Sequence, residues 1–445
     1  MFDGKSKLDQ LALRLINTPE FQRLRRIKQL GVSEFVYPGA VHTRFSHCIG
    51  TFHVARKLVE IIKREMNREG KNGFDENKAN IVVIAALLHD LGHGPFSHTF
   101  EGVQEHRGAK KRHEHWTREI IQCATGEIWP VLLDFRSEFA DAVADIFTTE
   151  EPRDIYHAIV SSSFDADRLD YLRRDRLMTG IGAGAIDFDW LLEHVRIGQV
   201  RLNEPDAIED DDIRVETFCL DMKALPAAEQ FLLSRYTMHE QVYFHKTTRC
   251  AEKMIAKLLT AISDEAKTSK SFSKQTGLPA NHPLGVFFSN NGETVENYLQ
   301  LDDATVMGSL SLMRSGQNKI IANFAARIQE RKLYKTLDVA RLSGDDQGAM
   351  VSKCRTIDKR FSEKISSGDV IKDEKAKISI YTKIGGDDER IHKKLHILVA
   401  GVDREISDIS DLVKSLATPK TFTRYYFADE VDRNAVKATH SRRSL

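Results

Sequence analysis

Cysteine is scarce in this 445-residue chain, and none of it is paired in spacing: Cys48, Cys123, Cys219, Cys250 and Cys354 are scattered, odd in number and free of any C-x-x-C pattern. That excludes a disulfide scaffold and a cysteine-zinc site, and reduced thiols are expected. Long apolar runs are missing too. Nothing approaches the roughly 18 consecutive apolar residues that a membrane span needs. The opening MFDGKSKLDQ has neither the apolar core nor the cleavage site of a signal peptide. A cytoplasmic protein without membrane contact is the expectation. Excess charge of one sign is also absent, with Lys plus Arg and Asp plus Glu both at 65. The chain therefore lacks the electrostatic footprint of a general nucleic-acid binder, and charge gives no indication of a nucleic-acid partner.

What is present reads as a globular protein of two units, because single cores stop growing near roughly 250–300 residues. From residue 8 to about 262, segments such as LDQLALRLI, TFHVARKLVEIIKREM, KANIVVIAALLH and AAEQFLLSRYTMHEQVYFHK repeat apolar residues at i, i+3, i+4 spacing and predict an all-helical core. Thr18-Pro19-Glu20 has the chemistry of a helix start. The basic run QRLRRIK reads as amphipathic, with Leu24 and Ile27 turned inward. Residues 263–285 are polar, Ser/Lys-rich and broken by Gly and Pro, which predicts a linker or loop. Beyond them, helices around YLQLDDATVMGSL and IIANFAARIQERKLYK give way to alternating KISIYTKI, the turn GGDDE, KLHILVA and TFTRYYFA, read as short strands. The acidic run at 209–212 reads as a solvated loop tip and the terminal SRRSL as a frayed tail. The expected fold is mainly α: a helical core over 1–262, the linker 263–285, and a smaller mixed α/β region over 286–445 serving oligomerisation or regulation.

The stretch LLHDLGHGPFSH, residues 87–98, ends an apolar run abruptly in histidines and an aspartate. His89 and Asp90 offer an imidazole and a carboxylate from adjacent positions, while Gly92, Gly94 and Pro95 turn the chain back past the same spot, bringing His93 and His98 near. VHTRFSH adds His42, Arg44 and His47, and FDADRLDYLRRD adds Asp165, Asp167, Arg168, Asp170, Tyr171 and Asp175. Mixed His and Asp donors suit a divalent ion such as Mn, Mg, Fe, Zn or Ni, with the identity left open. Such an ion makes hydroxide available near neutral pH and polarises phosphoryl oxygens. Arg44, Arg168, Arg235 and Lys246 would neutralise a polyphosphate. Singly, each of these residues has a plainer reading. His42 and His53 are expected to be structural, and His106 and His115 to lie on the surface. Asp165 is expected to cap a helix, and Asp170 to make a local ion pair.

The order His47, His89-Asp90, Asp167 resembles the HD-domain metal-dependent phosphohydrolases. TPEFQRLRRIKQLG, PGAVHTRFSHCIG, ALLHDLGHGPFSHTFE, DADRLDYLRRD and YTMHEQVYFHK are similar to the deoxynucleoside triphosphate triphosphohydrolase branch that includes human SAMHD1 and bacterial relatives. These motifs span residues 14 to about 260, and YLQLDD and RKLYK extend the likeness. The resemblance implies His47, His89, Asp90 and Asp167 as metal ligands. It implies His93, His98 and His113 around the α-phosphate, with His98 as general acid oriented by Glu101, a position where many relatives carry aspartate. Arg44, Arg168, Arg235 and Lys246 match triphosphate-binding positions. Gln29 and Asp175 match contacts to the sugar 3′-hydroxyl, Tyr171 a tyrosine under the deoxyribose, and His239 and Tyr243 the nucleoside pocket. The implied reaction is attack of metal-activated water at the α-phosphorus of a dNTP, giving deoxynucleoside and triphosphate.

The resemblance also implies a homo-oligomer, dimer or tetramer, with a regulatory nucleotide at a subunit interface near Asn17, Gln22 and Arg25. Asn17 departs from the aspartate that reads guanine there, because an asparagine offers one acceptor and one donor where two acceptors are needed. Two other readings stand beside this one: an HD-type phosphohydrolase or nuclease acting on another nucleotide or nucleic-acid substrate, and a non-catalytic nucleotide sensor on the same scaffold.

Overall fold

The computed structural model describes residues 2–68, 70, 73–149, 154–182, 185–201, 214–268, 271–344, 346–378, 394–416 and 420–441. The chain opens with α1 (Lys7–Ile16) and the short α2 (Pro19–Arg23), where Thr18 caps the Phe21 N–H and Pro19 occupies the first turn. Leu24 and Ile27 are fully buried. Next come α3 (Arg44–Arg68) and α4 (Glu76–Leu88). Asp75 caps α4 through the Asn77 and Lys78 N–H groups. From Val82 to Leu88 every side chain of α4 is buried, so this helix is apolar all round and forms the centre of the molecule. It stops where His89 and the glycine turn begin.

Four helices follow the turn: α5 (His98–His106), α6 (His113–Ile121), α7 (Ile128–Phe135) and α8 (Phe139–Asp145). Then α9 (Ala166–Thr179) starts at the cap Asp165 and ends at Gly180 with φ 72°, the left-handed residue that closes a helix. Helix α3 packs against both α4 and α9, which brings the polar ends of the three to one place.

The helical reading of 8–262 requires a correction. After α10 (Phe188–Glu193), strands β1 (Val195–Arg201) and β2 (Arg214–Asp221) pair antiparallel, and only then do α11 (Leu225–Met238) and α12 (Lys246–Thr268) resume the helical core. RVETFCLD alternates only at its start, where Val215 is buried between more open neighbours, and Thr217 to Leu220 are buried without a break, so the strand is covered on both faces over its second half. The acidic run at 209–212 lies outside the described residues.

Among the described residues of 263–285, expected to be a linker or loop, much is helical and packed. The first of them continue α12, with Ser263 fully buried; a second helix spans Phe272–Thr276, Gly277 turns the chain at φ 76°, and Leu278 is buried. Thr276 donates its hydroxyl to the Phe272 carbonyl at 2.8 Å, which explains how a polar residue sits inside.

Beyond Lys335 the mixed texture appears as β3 (Lys335–Asp338), β4 (Val370–Ile378), β5 (His396–Val399), β6 (Val402–Glu405) and β7 (Lys420–Phe427), with helices between them. One sheet runs β1-β2-β5-β6 and the other β3-β7-β4. KLHILVA and TFTRYYFA are thus strands, whereas most of KISIYTKI, all of GGDDE and most of SRRSL lie outside the described residues. One large apolar cluster reaches from Leu11 to Tyr426, and a smaller one gathers Leu337, Val339, Ile357, Phe361, Val370, Tyr425, Phe427 and Val436.

Candidate metal centre

His47 stands on α3, His89 and Asp90 at the end of α4, and Asp167 in the first turn of α9. The structure brings all four together. Ligand atoms of His47, His89 and Asp167 lie within 4.8 Å of one another. Asp90 Oδ1 is 3.3 Å from His89 Nε2, and Asp90 Oδ2 is 3.8 Å from His47 Nε2.

The hydrogen bonds behind these groups decide what the centre can hold. His47 Nδ1 is 2.8 Å from Asp170 Oδ2, and His89 Nδ1 is 2.9 Å from the Ala86 carbonyl oxygen. A carboxylate and a carbonyl only accept, so both rings donate from Nδ1 and, when neutral, present a bare lone pair at Nε2. Those two Nε2 atoms face each other at 3.2 Å, with Asp167 Oδ1 2.9 Å from the His47 nitrogen. Two lone pairs and two carboxylates aimed at one point call for a cation. In the metal-free chain that demand falls on protons. Burial pulls His47 down, yet the hydrogen bonds and charges of Asp167, Asp170 and Asp90 push it up to about 10. Asp90 is held well below the usual carboxylate range because Arg44, His89 and His93 outweigh its burial. The donor set fits a divalent ion.

A second cluster adjoins the first. His93 stacks on His113 with ring centroids 4.0 Å apart, and His98 meets His93 edge-on at 5.6 Å. Glu101 bridges the other two: His98 Nδ1 donates to Oε2 at 2.7 Å and His113 Nδ1 to Oε1 at 2.6 Å. Those bonds outweigh burial and hold Glu101 far below the ordinary range. His93 Nε2 lies 3.2 Å from Asp90 Oδ1, which ties the clusters together, while its buried Nδ1 has no hydrogen-bond partner among the described residues. Burial, Arg44 and His113 keep the His93 imidazole neutral.

The remaining expected residues divide by placement. Arg44 is turned onto the centre from behind, donating to Asp90 Oδ2 at 2.5 Å and to Ser97 Oγ at 2.9 Å. Arg168 pairs with Asp165 and the Ser162 carbonyl. The charges of Arg235 and Arg168 are felt by both Tyr171 and His239, and the Arg235 Nε is buried without a hydrogen-bond partner among the described residues. Lys246 is exposed at the start of α12. Tyr171 and His239 both flank Tyr243, with centroids 6.2 Å and 4.9 Å away. Tyr243 donates to Asp175 Oδ2 at 2.8 Å. Asp175 Oδ1 is engaged by His42 at 2.7 Å, and the Gln29 N–H donates to the His42 carbonyl at 3.0 Å. Asn17, Gln22 and Arg25 share one outer corner: the Asn17 amide donates to the Leu13 carbonyl, Arg25 Nε donates to Gln22 Oε1 at 2.8 Å, and the Arg25 guanidinium lies over the Phe45 ring. His53, His106 and His115 are exposed.

Two residues escaped the sequence reading. Asp170 does make a local ion pair, with Arg174, but the same carboxylate also orients His47. Its one-turn spacing from Asp167 was the available signal, since residues three apart share a helix face. Arg23 is fully buried and donates to the carbonyls of Leu301, Leu91 and His93 at 2.9, 3.1 and 2.9 Å. Nothing in QRLRRIK distinguishes it from its exposed neighbours.

Helical core and site together define a metal-dependent HD-domain protein. The HD domain model matches residues 44–172, and the model of the HD associated region matches 208–276. The chain is 32% identical over 331 residues to the uncharacterized protein YwfO of Bacillus subtilis, covering 74% of this chain and 69% of YwfO. It is 31% identical to the deoxynucleoside triphosphate triphosphohydrolase SAMHD1 homologue of Dictyostelium discoideum, over 60% of this chain but only 51% of that protein. The crystal structure of a phosphohydrolase from Bacteroides thetaiotaomicron superposes with a TM-score of 0.69 at 25% identity, covering 95% of this chain and 96% of the other. The chain belongs to the HD-domain phosphohydrolase family, in the group that includes SAMHD1 and its homologues. Among the described residues no helix is long and apolar enough to cross a membrane.

Proposed function

We propose that this protein hydrolyses deoxynucleoside triphosphates to deoxynucleoside and inorganic triphosphate. The observation that carries the reading is the union of three groups at one place: a centre of two imidazoles and two carboxylates, a histidine cluster 3.2 Å from it through His93, and a cluster of Tyr171, Tyr243, His239 and Asp175 beside two arginines. The kinship with proteins named as triphosphohydrolases points the same way. A divalent ion bound by His47, His89, Asp90 and Asp167 supplies Lewis acidity and lowers the pKa of water.

The chain's own groups do the rest. Glu101 takes the Nδ1–H of His98 and leaves its Nε2 to carry the proton given to the departing 5′ oxygen. Neutral His93 and Glu101-anchored His113 line the phosphate beside it, and Arg168, Arg235 and Lys246 offset its charge. Asp175, fixed by Tyr243 and His42, faces the sugar hydroxyl with Gln29, and Tyr171 lies against the deoxyribose. A dimer or tetramer, with a regulatory nucleotide at the Asn17, Gln22 and Arg25 corner, completes the proposal.

Product analysis by ion-pair chromatography tests it. Purified protein with Mn²⁺ or Mg²⁺ is given each dNTP singly, the four mixed, and the matching NTPs, with His89→Ala as control. Triphosphate and deoxynucleoside are expected from dNTPs and not from the variant. Rates that differ between single and mixed nucleotides report regulation, and sedimentation reports the oligomer. Cleavage of NTPs or of other phosphoesters without dNTP turnover would overturn the substrate assignment.

A further inference from the structure

Phe96 and Ser97, the two residues before His98, have φ of 54° and 53°. Residues other than glycine avoid this left-handed region, so the conformation is imposed from outside the turn. The restraints come from three places. Ser97 Oγ accepts from Arg44. Arg23 holds the carbonyls of Leu91 and His93. The third source is the segment 298–303, which lies beyond both matched family regions. Tyr298 donates its hydroxyl to the Gly92 carbonyl at 2.6 Å, and the Leu301 carbonyl accepts from Arg23. Most directly, Asp303 Oδ1 accepts from the Phe96 N–H at 2.7 Å while Oδ2 accepts from the Lys28 N–H at 2.9 Å.

Asp303 is buried, and burial outweighs those two N–H bonds and pushes its acid up to about 6. The two backbone N–H bonds are what hold a charged carboxylate in this buried place.

We propose that Asp303 is a positioning residue of the active site: its carboxylate holds the left-handed Phe96–Ser97 turn and thereby sets the direction of His98. Only the link to turnover rests on the proposed hydrolysis; the hold on the turn does not.

The test compares the full-length chain with Asp303→Asn. The amide offers one acceptor and one donor where two N–H groups must be accepted, so one bond becomes a clash of donors. Hydrogen–deuterium exchange across residues 91–100 and at the Lys28 amide is expected to quicken about 10-fold or more while the amides away from these two places and the bound-metal content hold. With dNTP as substrate, kcat is expected to fall about 10- to 100-fold with KM changing less than about threefold, the signature of a misaimed group rather than lost binding. Unchanged exchange at 91–100 in the folded variant overturns the proposal, as does an increase spread evenly over the molecule. Quickened local exchange in a chain that never cleaves dNTPs leaves the positioning role standing and removes the substrate reading. Should the variant not fold, the Phe96 amide of the unmodified chain decides: exchange at the rate of an unprotected amide overturns the assignment.

Discussion

Asp170 shows how much one carboxylate can govern. It fixes the His47 tautomer through Oδ2 while the Arg174 guanidinium grips both of its oxygens at 2.8 Å. Asp170→Asn is expected to lower divalent-metal affinity about 10- to 100-fold, measured by chelator competition, although it removes no ligand. Gly50 on α3 makes room for this arrangement, since a Cβ there would overlap Asp170 Oδ1 and the Arg174 guanidinium. Gly50→Ala should therefore lose metal in the same way, and full metal occupancy after gel filtration would contradict the account. His239 carries a pH prediction. Burial first, then Arg235 and Arg168, pull its imidazole down to about 3. The unfolded chain takes up a proton near the ordinary value of about 6.5 and the folded one does not, so this contribution to stability is full above that pH and drains away as pH falls toward about 3. Between about pH 7.5 and 5, wild type should lose more denaturation free energy than His239→Gln; equal losses would refute the placement.

Regular helices were legible where one face is apolar. From Val82 to Leu88 α4 is buried all round and has no single apolar face, yet KANIVVIAALLH still reads as a helix from the spacing of its apolar residues. The hairpin β1–β2 was missed because its alternation is short and sits between two strongly helical stretches. The 263–285 segment was misread because small hydroxyl residues such as Thr276 can bond their own helix backbone and so be buried despite a polar composition. An unforeseen element of another kind joins α11 to α12: a π-helical turn, His239–Tyr243. Such turns hold an extra residue and re-aim side chains. Deleting Gln241 should let it relax to α geometry and swing Tyr243 by about 100°, away from Asp175. Nucleotide affinity, measured by calorimetry, is then expected to drop about 5- to 10-fold, the worth of one hydrogen bond. An unaltered affinity would show that the π turn does not place Tyr243.

At the scale of the molecule, the proposed ligands His47, His89, Asp90 and Asp167 could be singled out in the sequence because their motifs are local and their order is distinctive, and the fold places them side by side. Their supporting contacts could not. Arg23 acts through tertiary contact, of which single-chain spacing carries no record; Asp170 and the YLQLDD stretch at 298–303 stand out in the sequence, but the groups they hold do not. The large cluster includes Phe287, Phe288, Tyr298, Leu301 and Phe324, all buried. A chain ended after Thr276, where the matched family region stops, should therefore lose its cooperative thermal transition; a sharp calorimetric peak from that fragment would show that the helical core is complete without them.

The parallel pairing of β2 with β5 sets Cys219 against His396. During synthesis at roughly 5–20 residues per second, the free edge of β2 waits on the order of ten seconds before its partner leaves the ribosome. Through that interval the strand is an unpaired edge on an otherwise buildable helical core, open to pairing with another nascent chain. Expression yield is thus expected to respond to slower translation and to chaperones that cover exposed strands, even though every residue of the proposed metal centre has already emerged.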